Sequence, residues 1–324
     1  MAADKLEEQL VKYLTDAHSI EQQALAQMKA APGIAGDPRL AEAFEAHLAE
    51  TEEHERLVRA RLEDRDSDPS RLKDLLMRAG GAGFLLFAKA QPDTSGKLVA
   101  HAYSYEHLEL AAYELLRRVA DRAGDTETAE TAQTIRDQEE QMAKRLEANF
   151  DRAVDASLRE VGRDDLDEQL NKYLADAHAI EAQAIQLLEK GPDLSSDPEL
   201  ARLYEEHLEE TREQQRLVEQ RLDARGGDPT GLKDAAMRAG ALNWGMFFQT
   251  HPDTSGKLAA FAYAFEHLEI AGYEELKRVA QRLGDDETVQ MADTILAQER
   301  AAAKKLYGAF DLAVAASLEE VGIS

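Results

Sequence analysis

Glu106, His107 and Glu109 lie inside the stretch AYSYEHLELAAYELL (residues 102–116), and Glu266, His267 and Glu269 repeat that placement in AYAFEHLEIAGYEEL (residues 262–276). Both stretches otherwise place apolar residues at helical spacing. A buried carboxylate costs several kcal/mol, and in isolation it takes up a proton or finds a partner. Carboxylates suit hard cations and imidazole suits metals such as iron or zinc. The spacing therefore points to a metal site, twice over.

Further acids fall on apolar stripes elsewhere. Steps of three and four place Glu21 with Leu10, Leu14, Ala17, Ala24 and Met28. They place His47, Glu50 and His54 with Ala43 and Leu57, and Glu106 and Glu109 with Ala102, Tyr113 and Leu116. Glu139 falls with Ile135, Met142 and Leu146. The same set recurs as Glu181, His207, Glu210, Glu266, Glu269 and Glu299. Glu140, one position beyond Glu139, falls on the polar side and is replaced by Arg300 in the second set. No Lys or Arg shares the stripes beside these acids. Acids converging on one interior repel one another, and a pair of metal ions is the usual counter-charge. Taken singly, a Glu on a stripe is more often an edge residue reaching water, and His47 alone reads as an interior hydrogen-bonded histidine; the repetition across four helices makes the metal reading specific. His18 and His107 align less well with the stripes and read as supporting or structural. Tyr113 and Tyr273 read as core residues whose hydroxyls bond a carboxylate.

The elements that position these residues are helices throughout. Apolar periodicity predicts helix one over residues 6–29, broken by APGIAG. Asp37-Pro38 supplies an N-cap and a first-turn Pro for helix two, which runs to about Glu63. Helix three runs from about Ser95 to Ala123 and stops at Gly124, and helix four starts after Asp125, with Thr126 to Ala129 as its first turn, and runs to about Leu158. Connections that are short, long and short match a four-helix bundle with one crossover, the ferritin-like arrangement. DKLEEQLVKYLTDAH and DDLDEQLNKYLADAH match at 11 of 15 positions, and PDTSGKL occurs unchanged at Pro92 and Pro252. Every such pair is offset by 160 residues, so the expectation is a gapless duplication with domains at 1–161 and 162–324.

Composition narrows the function. The 324-residue chain is 44% hydrophobic and 31% charged, has no cysteine and carries a net charge of −26. That excludes disulfide frameworks and thiolate sites, and it disfavours nucleic acid and anionic membranes as partners. No apolar run approaches the roughly 18 residues of a membrane span. The polar opening MAADKLEEQLVKYL does not read as a signal peptide, which leaves the cytoplasm as the default location.

With these residues in view, EHLELAAYELLRRVADRAGD and its copy resemble the helix of the YciE/YciF-type, stress-associated ferritin-like family. YLTDAHSIEQQAL and LAEAFEAHLAETEEHERL are similar to that family's first two helices. The resemblance implies rubrerythrin-like bundles that tend to dimerise. It also implies metal positions at Glu21, Glu50, Glu109 or Glu106, and Glu139, with their copies. Helix two departs from the Glu-x-x-His order of di-iron proteins, having His47-x-x-Glu50, and Met142 follows Glu139 by three.

Two functions follow. One is a carboxylate-rich di-metal site, for two iron or manganese ions, in each bundle, acting as a ferroxidase or on peroxide. The other is a metal-free acidic bundle acting through a partner. The fusion is expected to supply the dimer contact within one monomeric chain; GGAGFLLFAKA and ALNWGMFFQ either form that contact or cap each bundle's own core. His54, matched by Gln214, is expected to lie past the site and face solvent, with an extra ligand confined to the first copy as the alternative.

Overall fold

A computed structural model describes residues 2–67, 94–159, 165–227 and 254–323. The chain is all-α; among the described residues there is no strand. It divides into two compact units, residues 1–160 and 161–322. Unit 1 contains α1 (Ala2–Ala30), a 3-10 turn (Ala31–Ile34), α2 (Pro38–Glu63), α3 (Thr94–Ala123), α4 (Thr126–Glu147) and α5 (Phe150–Arg159). Unit 2 contains α6 (Leu166–Leu188), a short α7 (Gly191–Leu194), α8 (Pro198–Ala224), α9 (Thr254–Leu283), α10 (Asp286–Gly308) and α11 (Phe310–Glu320).

Local chemistry sets the helix ends. Asp37 accepts from the Arg39 amide at 2.9 Å and Pro38 opens α2. Asp197 does the same for α8, accepting from Glu199 and Leu200. Gly124 adopts φ +74 after α3. That lets the Asp125 amide reach Ala120 O at 3.0 Å, closing a Schellman-type end. Asp125 then caps α4 by accepting from Thr128 N at 3.0 Å.

Cross-helix pairs give the directions. Along α1 and α2, Glu7 meets Arg65 and His18 meets Glu55, so these helices are antiparallel. Arg61 meets Asp125, His54 meets Gln138 and Glu50 meets Arg145, so α2 and α4 are antiparallel. Glu114 meets Arg136 and Tyr103 meets Phe150, so α3 runs against α4 and α5. Hence α2 and α3 run the same way, and the chain leaves α2 at one end of the bundle and enters α3 at the other. The two apolar runs expected to join the units, GGAGFLLFAKA and ALNWGMFFQ, lie outside the described residues.

The fourth predicted helix is two helices. The chain breaks at Ala148–Asn149 and seats Phe150, fully buried, against Tyr103 with ring centroids 5.3 Å apart. The second copy breaks at Ala309 and packs Phe310 on Tyr263 at 5.5 Å. Hydrophobic periodicity continues across the break, which is why the sequence reads as one helix. The bundle core is the stripe residues Leu10, Leu14, Ala17, Ala24, Met28, Ile135, Met142 and Leu146, all buried. Into that dry interior the same stripes carry acids.

Candidate metal centres

In unit 1, His47, Glu106, Glu109 and Glu139 each bring a ligand atom within 4.8 Å of one another, all buried. Unit 2 assembles His207, Glu266, Glu269 and Glu299 in the same way. A third group, Glu21, His54 and Glu139, adjoins the first through the shared Glu139. Glu181, the counterpart of Glu21, is fully buried and accepts a hydrogen bond from Tyr273. Tyr113 donates in the same way to Glu21 Oε1.

The histidine geometry suits a ligand. His47 Nδ1 lies 3.0 Å from Glu50 Oε2, and His47 Nε2 lies 3.2 Å from Glu106 Oε2 and 3.4 Å from Glu139 Oε2. A proton on Nδ1 donated to Glu50 leaves the Nε2 lone pair facing the acids, the carboxylate–histidine arrangement that orients metal-binding imidazoles. His207 copies it, with Nδ1 3.4 Å from Glu210 Oε2 and Nε2 2.9 Å from Glu266 Oε1.

Glu50 and Glu210, expected among the inward acids, stand at the rim instead. The Glu50 side chain is 30% exposed and pairs with Arg145 at 3.2 Å. At about 100° per residue, Glu50 is rotated some 60° from His47, whereas His54, seven residues on, returns to within about 20° of it. The hydrogen bond from His47, then the Arg145 guanidinium, pull the Glu50 carboxyl down to about 2. His54 corrects a second expectation: its side chain is 0% exposed, with Nδ1 2.7 Å from Glu139 Oε1 and 3.9 Å from Glu21 Oε1. The signal that could have found it is that seven-residue spacing from His47 on one helix. His18 sits apart from the clusters, 3.0 Å from Glu55, and His107 donates to the Tyr103 carbonyl at 2.8 Å.

Electrostatics distinguish these acids from the other buried ones. Both carboxylate oxygens of Glu109 and Glu269 are buried without a hydrogen-bond partner, while Glu106 and Glu139 face the His47 and His54 rings and Glu299 lies 3.8 Å from His207 Nε2. Burial first, then the neighbouring Glu139, Glu21 and Glu106 carboxylates, push Glu109 far above the usual range. Burial raises Glu21 to about 8, with Glu139 adding to it, and burial raises Glu139 to about 7. In unit 2 burial raises Glu181 to about 8 and lifts Glu269 and Glu299 well above normal. Burial would depress His47, but the Glu106 carboxylate outweighs it and holds the ring well above its ordinary value.

Glu114 is equally buried, yet it receives Arg136 at 2.6 Å, Arg117 at 2.7 Å and Arg118 at 2.8 Å. Burial pushes it up, and Arg117 and Arg136 bring it net below its usual value. The fold thus gives arginines to a structural buried acid. Among the described residues, no lysine or arginine forms an ion pair with Glu21, Glu106, Glu109 or Glu139. A cluster of carboxylates with orphaned oxygens, one oriented imidazole and no basic partner has the donor set of a site for a hard or borderline divalent cation.

A family model described as a domain of unknown function, DUF892, matches residues 5–159 and again residues 165–319. The chain therefore belongs to that family and carries it as two tandem copies. No solved structure matches the chain. Among the described residues, no helix is long and apolar enough to cross a membrane.

Proposed function

We propose that each unit is a ferritin-like bundle of the YciE/YciF type. Its buried carboxylates hold iron or manganese and act on a small oxidant, dioxygen or peroxide, in a stress response. One observation supports this above the rest: carboxylates with unpartnered oxygens surround an oriented imidazole in both copies, in a chain that surrounds Glu114 with arginines. His47, Glu106, Glu109 and Glu139 would hold the cation in unit 1, and His207, Glu266, Glu269 and Glu299 in unit 2.

A bound iron or manganese ion supplies one-electron redox chemistry. The chain's own groups position and seclude it. Glu50 orients the His47 ring through Nδ1. The Tyr113 hydroxyl fixes the Glu21 carboxylate. Burial of the cluster excludes bulk water, so its charges are weakly screened. Glu21 and Glu139, raised to about 8 and about 7, keep protons close to neutrality that a cation displaces.

A second reading rests on the same shifts. Protons on Glu21 and Glu109, with imidazolium rings at His47 and His54, offset the buried charge without metal. The protein would then be an acidic bundle acting through a partner. Adding iron(II) to metal-free protein, with dioxygen or peroxide present, separates the two. The metal reading predicts iron(II) oxidation faster than the buffer control, lost when Glu139→Gln and Glu299→Gln are combined. Oxidation at the control rate, together with no metal retained after desalting, leaves the metal-free reading.

A further inference from the structure

Resting on that metal reading, we infer that the two copies are unequal sites. Unit 1 carries a second cation position made by Glu21, His54 and Glu139, with an imidazole donor. Unit 2 offers at that place only oxygen donors, from Glu181, Gln214 and Glu299, and binds its second cation more weakly.

The case starts from His54. It lies seven residues after His47 on α2, two turns along one buried stripe. Its Nε2 is 2.7 Å from Gln138 Oε1. A carbonyl oxygen only accepts, so Nε2 carries the proton and donates. In the neutral ring Nδ1 then presents a lone pair, 2.7 Å from Glu139 Oε1 and 3.9 Å from Glu21 Oε1. Two acceptors that close repel unless a positive charge lies between them, either a proton or a cation. His54 is therefore placed as His47 is: one nitrogen tied to an orienting acceptor, the other turned to carboxylates. The Glu139 carboxylate belongs to both groups, so it would be a donor at both positions.

Unit 2 keeps the frame and changes the donor. Gln214 takes the place of His54, and Gln298 takes that of Gln138. Gln214 Nε2 donates to Gln298 Oε1 at 3.2 Å, and Gln214 Oε1 is buried with no partner. Glu181 and Glu299 remain, both fully buried. A carboxamide oxygen is a neutral, hard donor, suited to manganese or magnesium, whereas imidazole favours iron, cobalt and zinc. The difference between units should therefore be large for a nitrogen-preferring ion and small for a hard one.

The test titrates metal-free full-length protein with cobalt(II), a redox-stable probe, and separately with manganese(II), followed by calorimetry. Cobalt(II) should fill three tight positions and a fourth at least about tenfold weaker, given that even an outer partner of a ligand changes affinity by about 10–100-fold. Manganese(II) should show a narrower gap. His54→Gln should move one cobalt(II) equivalent from the tight to the weak class, and Gln214→His should move one the other way. Thermal melting followed by circular dichroism checks that both variants fold, and the reciprocal swap decides even if one does not. Cobalt(II) positions of equal affinity, unmoved by either swap, overturn the inference and leave the metal reading intact. No uptake of either ion by the wild-type chain overturns the metal reading itself, and this inference with it.

Discussion

Raising the pH should weaken the metal-free protein between about pH 5 and pH 9, against the trend set by ordinary surface carboxylates. Glu139 moves from 4.5 to about 7 on folding, and Glu21 and Glu181 move to about 8. Between the unfolded and folded values the folded chain holds a proton that the unfolded chain has released, so stability falls as pH rises through that window. At about 1.4 kcal/mol per pKa unit, Glu139 alone accounts for about 3 kcal/mol by pH 8. His54, raised to about 9 by Glu139 against the opposing effect of burial, acts in the same sense. Its contribution is complete below its unfolded value near 6.5 and is lost as pH rises towards 9. The acids titrate together, so their contributions do not add. For a unit of this size, 3 kcal/mol corresponds to about 6–12 °C in melting temperature. Calorimetric melting of chelator-treated protein at pH 5, 7 and 9 measures it. Ordinary acids finish titrating below pH 6, so the fall from pH 6 to 9 belongs to the buried set, and combining Glu139→Gln with Glu299→Gln should shrink it to the part that Glu21 and Glu181 supply. Saturating manganese(II) should reverse the trend, because the cation replaces the protons. A melting temperature that is level or rising from pH 6 to 9 without metal refutes the account of buried, unpartnered acids.

Other outcomes follow from the neighbouring groups. Glu50→Ala should weaken metal binding in unit 1 by about 10–100-fold without abolishing it, because Glu50 orients His47 and is not one of the converging acids; metal-ion titration of the full chain reads this. Glu114→Ala strands Arg117, Arg118 and Arg136, so it should cost about 1–3 kcal/mol in denaturant unfolding yet leave metal stoichiometry unchanged. Phe150→Ala should cost about 3–5 kcal/mol in the same assay, because the ring is fully buried against Tyr103.

The helices, the duplication and most of the inward acids could be read from the sequence because they obey short rules. Turn signals mark the start of α2, the end of α3 and the start of α4, and a gapless 160-residue offset repeats every stripe. Steps of three and four are too coarse at the rim of the stripe. Glu50 shares steps of three and four with His47 but sits rotated towards Arg145 on α4, a partner that no one-helix pattern reveals. The inward turn of His54 is legible in its seven-residue spacing from His47, whereas its partners Gln138 and Glu139 come from another helix and are not. The break at Ala148–Asn149 was hidden because Phe150, Ala153 and Val154 continue the apolar period beyond it. Tyr113 could be paired with a carboxylate in advance, since a buried hydroxyl on an acidic stripe has few other acceptors.

The most direct test of the central claim is anomalous scattering from crystals grown with iron(II) or manganese(II), recorded on both sides of the metal absorption edge. The account predicts a metal peak within bonding distance of His47 Nε2 and the Glu106, Glu109 and Glu139 carboxylates. It predicts a matching peak at His207, Glu266, Glu269 and Glu299. Peaks confined to surface acids, with both buried clusters empty under saturating metal, would contradict it.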